Sequence, residues 1–570
     1  MAKLLWIDLT ARAFRFETVP EGYAGLGGRG LTSAIVADHV PPDADPLGPD
    51  NLAVLAPGVL AATPVPNNGR LSVGAKSPLT GTIKEANCGG EAAHKLARLG
   101  IAAVAIQGRA EAPTLLRVHA GGVEFLEGRS LWGRGNYETV TTLRDRYPGG
   151  GVVSVGPAGE HTLRAAAVVV ATPDGYLRTA ARGGLGAVLG AKRVKALVID
   201  EAGAPGVAAA DPARLQAAAK ALAAGISAHP LMGGFQALGT AMLVPLINEM
   251  GALPTRNYSQ GRFEGAEKIG GEALAGLMAA RPGASSKHRC MAGCVIHCSQ
   301  VYTGEDGAPI TSGFEYETLG MVGSNCAIAD PDAIARIDRA CDDLGLDTME
   351  VGAALGVAME AGRIPWGDGA RALEVVCSAV SGDPLGRLVA DGSTATGREL
   401  GVARVPAVKG QSLAAYDPRC LKGTGVTYAT SPMGADHTAG NALPSPSNPD
   451  YDPASPRGQQ EVSEFLQCFF AAVDTVGMCL FASLPLLDGP ELQEALADAV
   501  AAKLGAPLPE GGLLALGRRV CLTERRFNRR AGFGPADDRL PGFFAAEALP
   551  PTGQRWDVAD EDLDRVFAES

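Results

Sequence analysis

The sequence predicts an α+β protein in which a β-rich N-terminal base domain precedes two mainly helical domains. Two patterns along the 570 residues predict this arrangement. Roughly the first two hundred residues contain short apolar runs closed by glycine or acidic residues, which is typical of strands and tight turns. From about Asp211 onward, apolar residues recur with helical spacing instead. We predict domains at 1–205, 206–405 and 406–570.

The N-terminal elements begin with a predicted β-hairpin. Its two strands, "KLLWIDL" and "AFRFETV", flank a turn at Thr10, Ala11 and Arg12. Later apolar runs end at turn residues in the same way, so they are predicted to be strands as well. These runs are "NLAVLAPG", "IAAVAIQG", "TLLRVHAGG", "VEFLEG", "GVVSVGPAG" and "VKALVIDE".

The remaining part of the chain carries helix start and stop signals. "DPARLQAAAKALAAGI" starts with an aspartate cap followed by proline, whose fixed φ suits the first helical turn. Long stretches around 330–345, 348–362 and 459–477 show similar apolar spacing. A Pro/Ser/Asn-rich loop at 442–456 interrupts the helices, and loops of this length are usually functional or disordered.

Charge and composition exclude several classes of function. The net charge is −12 and no basic stripe is visible, which argues against nucleic-acid binding. The N-terminus shows no signal-peptide pattern, and no uninterrupted apolar run approaches the roughly 18–20 residues of a membrane span. Eleven scattered cysteines suit a reducing compartment better than a disulfide framework. We therefore expect a cytoplasmic protein with no membrane span and no nucleic-acid partner.

Three cysteines fall within the nine residues of "CMAGCVIHC". Single cysteines are often core residues, but this cluster lies beside Lys287, His288 and Arg289, and such cations lower thiol pKa values. Zinc sites favour C-x2-C pairs that occur two by two, whereas three clustered cysteines and one remote cysteine are common around an iron–sulfur cluster. The pattern predicts metal ligation by Cys290, Cys294 and Cys298.

A six-residue frame, D-x-x-G-[LM]-[DC], occurs at 342–347 and again at 474–479. Both copies end a predicted helix, so Gly345 and Gly477 are expected to be cap residues, and Asp347 is expected to cap the helix that follows. Capping does not account for the first aspartate of each frame, because a carboxylate there faces the negative end of the helix dipole at a cost of about 0.3–1 kcal/mol. Two interpretations stay open: ordinary helix ends, or two carboxylates that each bind a donor outside the helix. Cys479, which ends the second frame, is the best candidate for a fourth cluster ligand.

Together these features resemble the aldehyde:ferredoxin oxidoreductase family of tungsten or molybdenum bis-pterin, iron–sulfur enzymes. The similarity runs almost from end to end. The resemblance implies a β-rich base on which two pterin dithiolenes sit, enclosed by two helical domains. The stretches that carry it, besides the triplet and the two frames, are "GGRGLTSAIV", "NNGRLSVGAKSPLTGTIKEANCGG", "RTAARGGLGAVLGAKRVKA", "GFEYET", "AYDPRCLKGTGVTYAT" and "ADHTAGN".

The resemblance implies that each frame holds one pterin. Asp342 and Asp474 would accept hydrogen bonds from pterin N–H groups, which suits acceptor-only carboxylates. The dithiolene sulfurs would hold the tungsten or molybdenum, so no side chain is needed as its ligand. The other implied frame contacts are Gly345, Leu346, Asp347, Gly477 and Met478.

The resemblance also implies contacts to the pterin phosphates and to a bridging magnesium ion. Glycines in "RGGLGAVLG" let backbone amides approach an anion at a helix start, although a tight strand-to-helix turn would use the same residues. One arginine, in "NNGR", would lie between pterin and cluster. The implied cofactor-binding residues of this group are Arg70, Asn87, Gly89, Arg182, Gly183, Asp417 and Arg419.

Acid–base groups follow from the same resemblance, which places a glutamate and His437 in the substrate cavity. Glu317 fits the spacing to Asp342 better, and Glu315 is the reserve. Oxidation of an aldehyde releases protons that a carboxylate and an imidazole can accept near neutral pH. The expected activity is reversible oxidation of an aldehyde to its carboxylic acid, with electrons passing through a [4Fe-4S] cluster to ferredoxin or a small iron–sulfur subunit.

Several alternatives stay open. The same cofactor could serve another two-electron reaction, such as reduction of an aromatic acyl thioester. A non-enzymatic cofactor-binding protein or a zinc-binding interaction protein is the alternative from another class. The triplet here is C-x3-C-x3-C, whereas the family triplet usually reads C-x2-C-x3-C, so the extra residue either bulges or displaces one thiol. A homodimer is a further expectation.

Overall fold

The N-terminal part is built on two six-stranded sheets, seen in a computed structural model that describes residues 2–445 and 448–568. The strands are β1 (Lys3–Asp8), β2 (Ala13–Thr18), β3 (Ala53–Pro57), β4 (Leu71–Lys76), β5 (Ile83–Cys88), β6 (Ile101–Gln107), β7 (Thr114–His119), β8 (Gly122–Glu127), β9 (Gly151–Val155), β10 (Val168–Ala171), β11 (Leu177–Ala180) and β12 (Val194–Ile199).

Each sheet is mixed and contains one parallel pair. The first has the order β2-β1-β6-β3-β4-β5, in which β1 and β6 are parallel, and the second has the order β11-β10-β9-β12-β7-β8, in which β7 and β12 are parallel. One apolar cluster joins the two sheets, and it includes Leu55 and Val104 of the first and Val153 and Leu197 of the second. Strands covered on both faces read as continuous apolar runs, which explains the sequence pattern. The predicted hairpin is confirmed as β1 and β2.

Five helices connect and cover these strands: α1 (Gly28–His39), α2 (Ala92–Arg98), α3 (Asn136–Arg146), α4 (Pro157–Glu160) and α5 (Leu185–Ala191).

The rest of the described chain is mainly helical, as predicted. Its helices are α6 (Pro212–Ala228), α7 (Pro230–Leu238), α8 (Leu243–Glu249), α9 (Ala266–Ile269), α10 (Gly271–Ala280), α11 (Tyr316–Thr318), α12 (Pro331–Leu344), α13 (Thr348–Glu360), α14 (Gly369–Cys377), α15 (Pro384–Ala390), α16 (Ser393–Leu400), α17 (Lys422–Thr430), α18 (Gln459–Val476), α19 (Leu480–Asp488), α20 (Pro490–Leu504), α21 (Gly512–Arg530), α22 (Phe543–Ala546) and α23 (Asp560–Arg565). Short strands are β13 (Ser285–His288), β14 (Ser299–Thr303), β15 (Pro309–Ser312), β16 (Ala407–Val408) and β17 (Gln411–Ser412). The predicted α+β class is confirmed.

Side-chain caps fix where several of these helices begin. Asp211 accepts a hydrogen bond from the Arg214 amide at 3.0 Å before α6, and Asp347 accepts one from the Met349 amide at 2.9 Å before α13. Each cap satisfies an amide that the helix itself leaves unpaired. The predicted loop 442–456 contains two residues, 446 and 447, that lie outside the described residues.

One helical stretch is long and apolar enough to be compared with a membrane span, although its apolar residues do not form an uninterrupted run. Pro230–Glu249 spans 20 residues with a mean hydropathy of 1.4, so by length and composition it could cross a membrane. Polar residues such as Gln236 and Thr240 interrupt it, which hides it from a search for unbroken runs. One such stretch is equally typical of a core helix. Here it is divided near Gly239 into α7 and α8, and several of its side chains line the cavity described next.

Candidate cofactor-binding and active site

A cavity of about 1150 Å³ lies among the three predicted domains. The base domain contributes β5 and β11, and the helical part contributes Cys290 and Cys298 of the triplet, α12 and parts of α18 and α19. This volume exceeds that of an ordinary drug-sized ligand site, which is roughly 300–1,000 Å³. The cavity can therefore hold a large cofactor together with a small substrate.

The first D-x-x-G frame ends α12 against the second sheet. Gly345 adopts a φ of +73°, and the following Leu346 forms an isolated bridge with Ala166. Asp342, in the last turn, faces the cavity and accepts hydrogen bonds from the Tyr137 and Thr179 hydroxyls, each at 3.2 Å. Burial raises the pKa of Asp342 to about 6.

The second frame ends α18 against the first sheet in the same manner. Gly477 has a φ of +82°, and its carbonyl accepts a hydrogen bond from the Arg70 amide at 3.3 Å. Asp474 faces the cavity, where Asn87 Nδ2 donates to its Oδ1 at 3.1 Å and Arg29 Nη1 lies 3.5 Å from its Oδ2. Both frames thus place a carboxylate in the cavity, which favours the second of the two interpretations.

Two glycines of the base domain allow the frames to approach this closely. A β-carbon at Gly58 would lie 2.2 Å from Gly477 Cα, and one at Gly156 would lie 2.2 Å from the Leu344 carbonyl oxygen. Contacts this short with backbone cannot be relieved by moving a side chain. Each frame is therefore held directly on the sheet domain.

The four predicted cluster cysteines converge on one side of the cavity. Cys290, Cys298 and Cys479 line it, and Cys294 packs in the same apolar cluster as Cys479. Burial, followed by the charges of Cys479 and Cys294, raises the pKa of Cys290 to about 12. Ionising several neighbouring thiols in a buried place is unfavourable, because burial and mutual repulsion both destabilise the thiolates. Bonds from the thiolates to the iron atoms of a cluster offset this cost. The donor set therefore fits an iron–sulfur cluster.

The effect expected from the basic neighbours of the triplet is wrong. Lys287 and Arg289 are exposed, and burial outweighs any cation in setting the thiol pKa. The charges that do oppose this rise at Cys290 come from Arg178 and Arg70, which line the cavity. The cations near the thiols therefore come from the base domain and not from the triplet.

Asn67 joins the triplet to the fourth cysteine. Its Nδ2 donates to Cys294 Sγ at 3.4 Å, its Oδ1 accepts from the Val295 amide at 3.2 Å, and its carbonyl accepts from the Cys479 amide at 2.8 Å. Its φ of +58° lies in the left-handed region, which asparagine tolerates better than most residues. Asn67 was not singled out from the sequence, although it belongs to the quoted stretch "NNGR".

We expect Asn67→Ala to destabilise the protein and to lower its iron content. The substitution removes two side-chain hydrogen bonds of about 1 kcal/mol each and adds backbone strain. The matched control is Asn67→Gly, which loses the same hydrogen bonds but accepts the positive φ. Denaturant unfolding should rank the free energy of unfolding as wild type, then Gly, then Ala. An alanine variant as stable as wild type would contradict this role.

Arg182 occupies a short 3₁₀ turn, Arg182–Gly184, at the end of β11. Its guanidinium lines the cavity, lies 3.3 Å from Asp347 Oδ2 and donates to the Ser412 carbonyl at 2.6 Å. Gly183, with a φ of +85°, leaves no space for a β-carbon, which would lie 2.4 Å from Lys84 Cγ. Asp347 pairs with Arg182 and caps α13, and its contact to a pterin stays a prediction.

The other predicted cofactor residues fall into two groups. Those lining the cavity are Arg70, Asn87, Gly89, Arg182, Leu346, Asp342 and Asp474. The second group lies near lining residues in sequence but is not part of the described lining. It consists of Gly183, Gly345, Asp347, Gly477 and Met478.

Asp417 and Arg419, which the resemblance implied as cofactor contacts, pair with each other in the described structure. Both are buried, and the Arg419 guanidinium donates to Asp417 Oδ1 at 2.9 Å and to Oδ2 at 2.6 Å. They lie outside the described lining of the cavity. The Arg419 guanidinium also donates to the Tyr258 carbonyl, so the described contacts of this pair are within the protein, and its role toward a cofactor stays a prediction.

Glu317 and His437 meet in the cavity. Glu317 Oε1 lies 3.0 Å from His437 Nε2, while its Oε2 accepts from the Ala415 amide at 2.8 Å. His437 Nδ1 is buried and has no hydrogen-bond partner among the described residues. A buried ring nitrogen without a partner is costly, so it indicates a place where a ligand or water binds.

Glu315 is bound by Thr240 and acts electrostatically on the predicted cluster cysteine Cys298. Its Oε2 accepts from the Thr240 hydroxyl at 2.6 Å, and its charge contributes to the raised pKa of Cys298. Burial raises the pKa of Glu315 itself. Of the two predicted glutamates, Glu317 is the one beside His437.

A single-ion zinc site finds no support in this geometry. In residues 2–445 and 448–568, no three His, Cys, Asp or Glu side chains are placed to hold one metal ion. The thiols of a four-iron cluster bind different iron atoms, so they need not converge on one point.

Family models match nearly the whole chain. The model described as "Aldehyde ferredoxin oxidoreductase, N-terminal domain" matches residues 4–201, and "Aldehyde ferredoxin oxidoreductase, domains 2 & 3" matches residues 217–569.

Individual proteins agree with this. The chain is 33% identical over 578 residues to a tungsten-containing aldehyde ferredoxin oxidoreductase of Pyrococcus furiosus, which covers 96% of this chain and 92% of the relative. It is 32% identical, with the same coverage, to the protein of that name from Thermococcus kodakarensis. It is 25% identical to the WOR-like subunit of an aliphatic sulfonate oxidoreductase of Pyrococcus furiosus, over 78% of this chain and 75% of that one.

A solved structure shares the fold. The active-site complex BamBC of benzoyl coenzyme A reductase, bound to 1,5 dienoyl-CoA, has a TM-score of 0.78 at 20% identity, covering 95% of this chain and 90% of that chain. The full-length matches, together with the two frames and the cysteines around one cavity, show that this chain belongs to the aldehyde ferredoxin oxidoreductase family of oxidoreductases.

Proposed function

We propose that this protein is a tungsten- or molybdenum-pterin oxidoreductase that oxidises an aldehyde to its carboxylic acid, and also catalyses the reverse reaction. The observation that carries this proposal is the Glu317–His437 pair, which lies in the cavity that also holds the two frame carboxylates and three cluster thiols. Family members from two archaea are named as tungsten-containing aldehyde ferredoxin oxidoreductases.

The residues present fit a bis-pterin cofactor. Asp342 and Asp474 would accept hydrogen bonds from the two pterins, and Arg70 would lie between pterin and cluster. Asn87, Gly89 and the turn at 182–184 would bind the phosphates and a bridging magnesium ion. When bound, the cofactor would supply two-electron chemistry at its metal, and a [4Fe-4S] cluster on the four cysteines would pass electrons on singly.

The acid–base work would fall to Glu317 and His437. The Ala415 amide fixes one oxygen of Glu317 and leaves the other beside His437 Nε2. This arrangement leaves His437 Nδ1 free to accept or donate a proton at the substrate, since the ring can pass a proton between its two nitrogens. Both groups are mostly withdrawn from water, which limits competing proton exchange.

The cavity lining favours a neutral aldehyde over an acyl thioester of coenzyme A. Coenzyme A carries several phosphate charges, which proteins usually bind with Lys or Arg. The outer lining contains apolar side chains such as Phe465, Phe481 and Leu484, and the acidic Glu461. The cations of the described lining are Arg70, Arg178 and Arg182, which lie beside thiols and carboxylates.

We expect purified protein to contain tungsten or molybdenum together with iron, and to oxidise benzaldehyde and hexanal with a viologen dye. Charged glyoxylate should react with at least about tenfold lower kcat/KM, since its carboxylate finds no cation at the cavity mouth. Benzoyl-CoA reduction by reduced viologen, without aldehyde oxidation, would instead support the thioester alternative. Zinc without iron, tungsten or molybdenum would support an interaction protein.

The same proposal includes an electron acceptor and a cellular compartment. Ferredoxin or a small iron–sulfur subunit would receive electrons from the cluster, in the cytoplasm. A homodimer is consistent with this proposal.

A further inference from the structure

A second buried aspartate lies one helical turn before the cofactor-binding Asp342. Asp338 and Asp342 are both on α12 at i and i+4, so their side chains are neighbours on one face. Both line the cavity, and they are 5% and 9% exposed. The D-x-x-G frame does not include Asp338, and neither the sequence pattern nor the proposed chemistry assigns it a role.

The surroundings of the two carboxyl groups differ. Asp342 lies near the Arg178 and Arg339 guanidinium groups, whose charges lower its pKa against the effect of burial. Asp338 instead contacts two neutral hydroxyls, Thr311 Oγ1 at 2.5 Å and Thr318 Oγ1 at 3.3 Å.

The other ionisable groups that act on this pair are acidic or weakly acidic. Glu315 acts on Asp338 from the segment before α11, and Tyr137 of α3 donates its hydroxyl to Asp342. Cys341 lies between the two aspartates in sequence, and burial, followed by their charges, raises its pKa. The arginines thus act on Asp342, while Asp338 has an additional negative neighbour in Glu315.

Two neighbouring carboxylates in a buried place cannot both ionise cheaply, so such a pair holds one proton near neutral pH. The cations stabilise the charge on Asp342, which leaves the proton on Asp338. Burial and the neighbouring charge of Asp342 raise the pKa of Asp338 well above its usual range, in agreement with this assignment.

A hydroxyl chain connects Asp338 to a second cavity residue. Thr318 Oγ1 lies 3.3 Å from Asp338 Oδ1 and 2.9 Å from Thr348 Oγ1, and both threonines line the cavity. A hydroxyl has one proton to donate. If Asp338 is neutral and donates to Thr318, then Thr318 donates to Thr348, and the Thr348 proton is free to point into the cavity. If Asp338 were charged, Thr318 would donate its proton to Asp338. Thr348 would then donate its proton to Thr318, so this proton would not point into the cavity.

We propose that Asp338 is a protonated positioning residue that orients this hydroxyl chain, so that Thr348 donates a hydrogen bond to the cofactor bound by Asp342. This inference rests on the proposed function for the identity of the cofactor. The cofactor would thereby meet an acceptor, Asp342, and a donor, Thr348, at neighbouring points of one wall.

The test compares amide variants of the two aspartates by metal and pterin content. Asp338→Asn keeps the shape and a donor toward Thr318, so we expect content within about twofold of wild type. Asp342→Asn replaces the acceptor, so we expect content at least about tenfold lower, the size of one lost charged hydrogen bond. Thr348→Val should lower content, whereas Thr348→Ser, which keeps the hydroxyl, should restore it. Thermal unfolding of each variant checks that the fold is intact.

Infrared difference spectroscopy can detect directly whether the Asp338 carboxyl group is protonated. The wild-type minus Asp338→Asn spectrum at pH 7 should contain the carbonyl band of a protonated carboxylic acid. Absence of that band, or cofactor loss in Asp338→Asn equal to that in Asp342→Asn, would overturn the proposal. Wild-type protein that contains no pterin would instead contradict the proposed function, so the two failures are distinguishable.

Discussion

Replacing Cys479 with alanine should remove or alter the low-temperature EPR signal of the cluster while pterin and tungsten or molybdenum stay bound. The variant loses one of four thiols, so iron should fall below the roughly four atoms per chain of an intact cubane. Asp474, the proposed pterin contact of this frame, is held by Asn87 at 3.1 Å and by Arg29 at 3.5 Å, and neither contact involves Cys479. Turnover with a dye should fall sharply, because electrons lose their route out of the cavity.

The matched control is Cys468→Ala. Cys468 is a buried thiol on α18, the helix that carries Asp474, but it is absent from the described lining of the cavity. Its loss should cost some stability and leave the EPR signal unchanged. An unaltered cubane spectrum in Cys479→Ala would mean that the fourth ligand lies elsewhere, and the cavity-lining Cys88 would be the next candidate.

The second large effect concerns catalysis at His437. We expect His437→Ala to lower kcat for aldehyde oxidation by about 10²–10⁴-fold, the usual loss when a general acid–base group is removed. Glu317→Gln keeps the volume of the side chain but removes its charge, so it should also slow turnover. Metal and iron analysis should match wild type for both variants, because neither residue is a proposed cofactor anchor.

Glu315→Gln separates the two glutamates. Glu315 is hydrogen-bonded to Thr240 near Cys298, so its amide variant should keep most of the turnover and change the cluster signal instead. A kcat loss in Glu315→Gln larger than that in Glu317→Gln would transfer the catalytic role to Glu315. An unchanged rate in His437→Ala would make His437 a structural residue.

Local sequence signals predicted the elements that present the site. The caps at Asp211 and Asp347 and the glycines at 345 and 477 mark helix ends that the structure confirms. These features depend on neighbouring residues, so a short window of sequence is sufficient to recognise them.

Other parts of the site depend on contacts between distant segments, which no local pattern encodes. Asn67 touches Cys294, which lies 227 positions away. Arg178 belongs to the sheet domain but acts on the Cys290 thiol, whereas Lys287 and Arg289, next to the triplet in sequence, are exposed.

The contact of α1 with α21 has a consequence for how the protein is made. Arg29 and Glu524 form a buried bidentate pair, with hydrogen bonds of 2.9 and 2.8 Å across 495 positions of sequence. During synthesis the ribosome must therefore complete nearly the whole chain before Arg29 can pair with the Glu524 carboxylate. Asp474, which contacts Asn87 of the base domain, is likewise synthesised late. Long-range closures of this kind slow folding and leave partly folded chains open to aggregation. The cavity, whose lining includes Asp474 and Cys479, is therefore complete only once most of the chain has been synthesised.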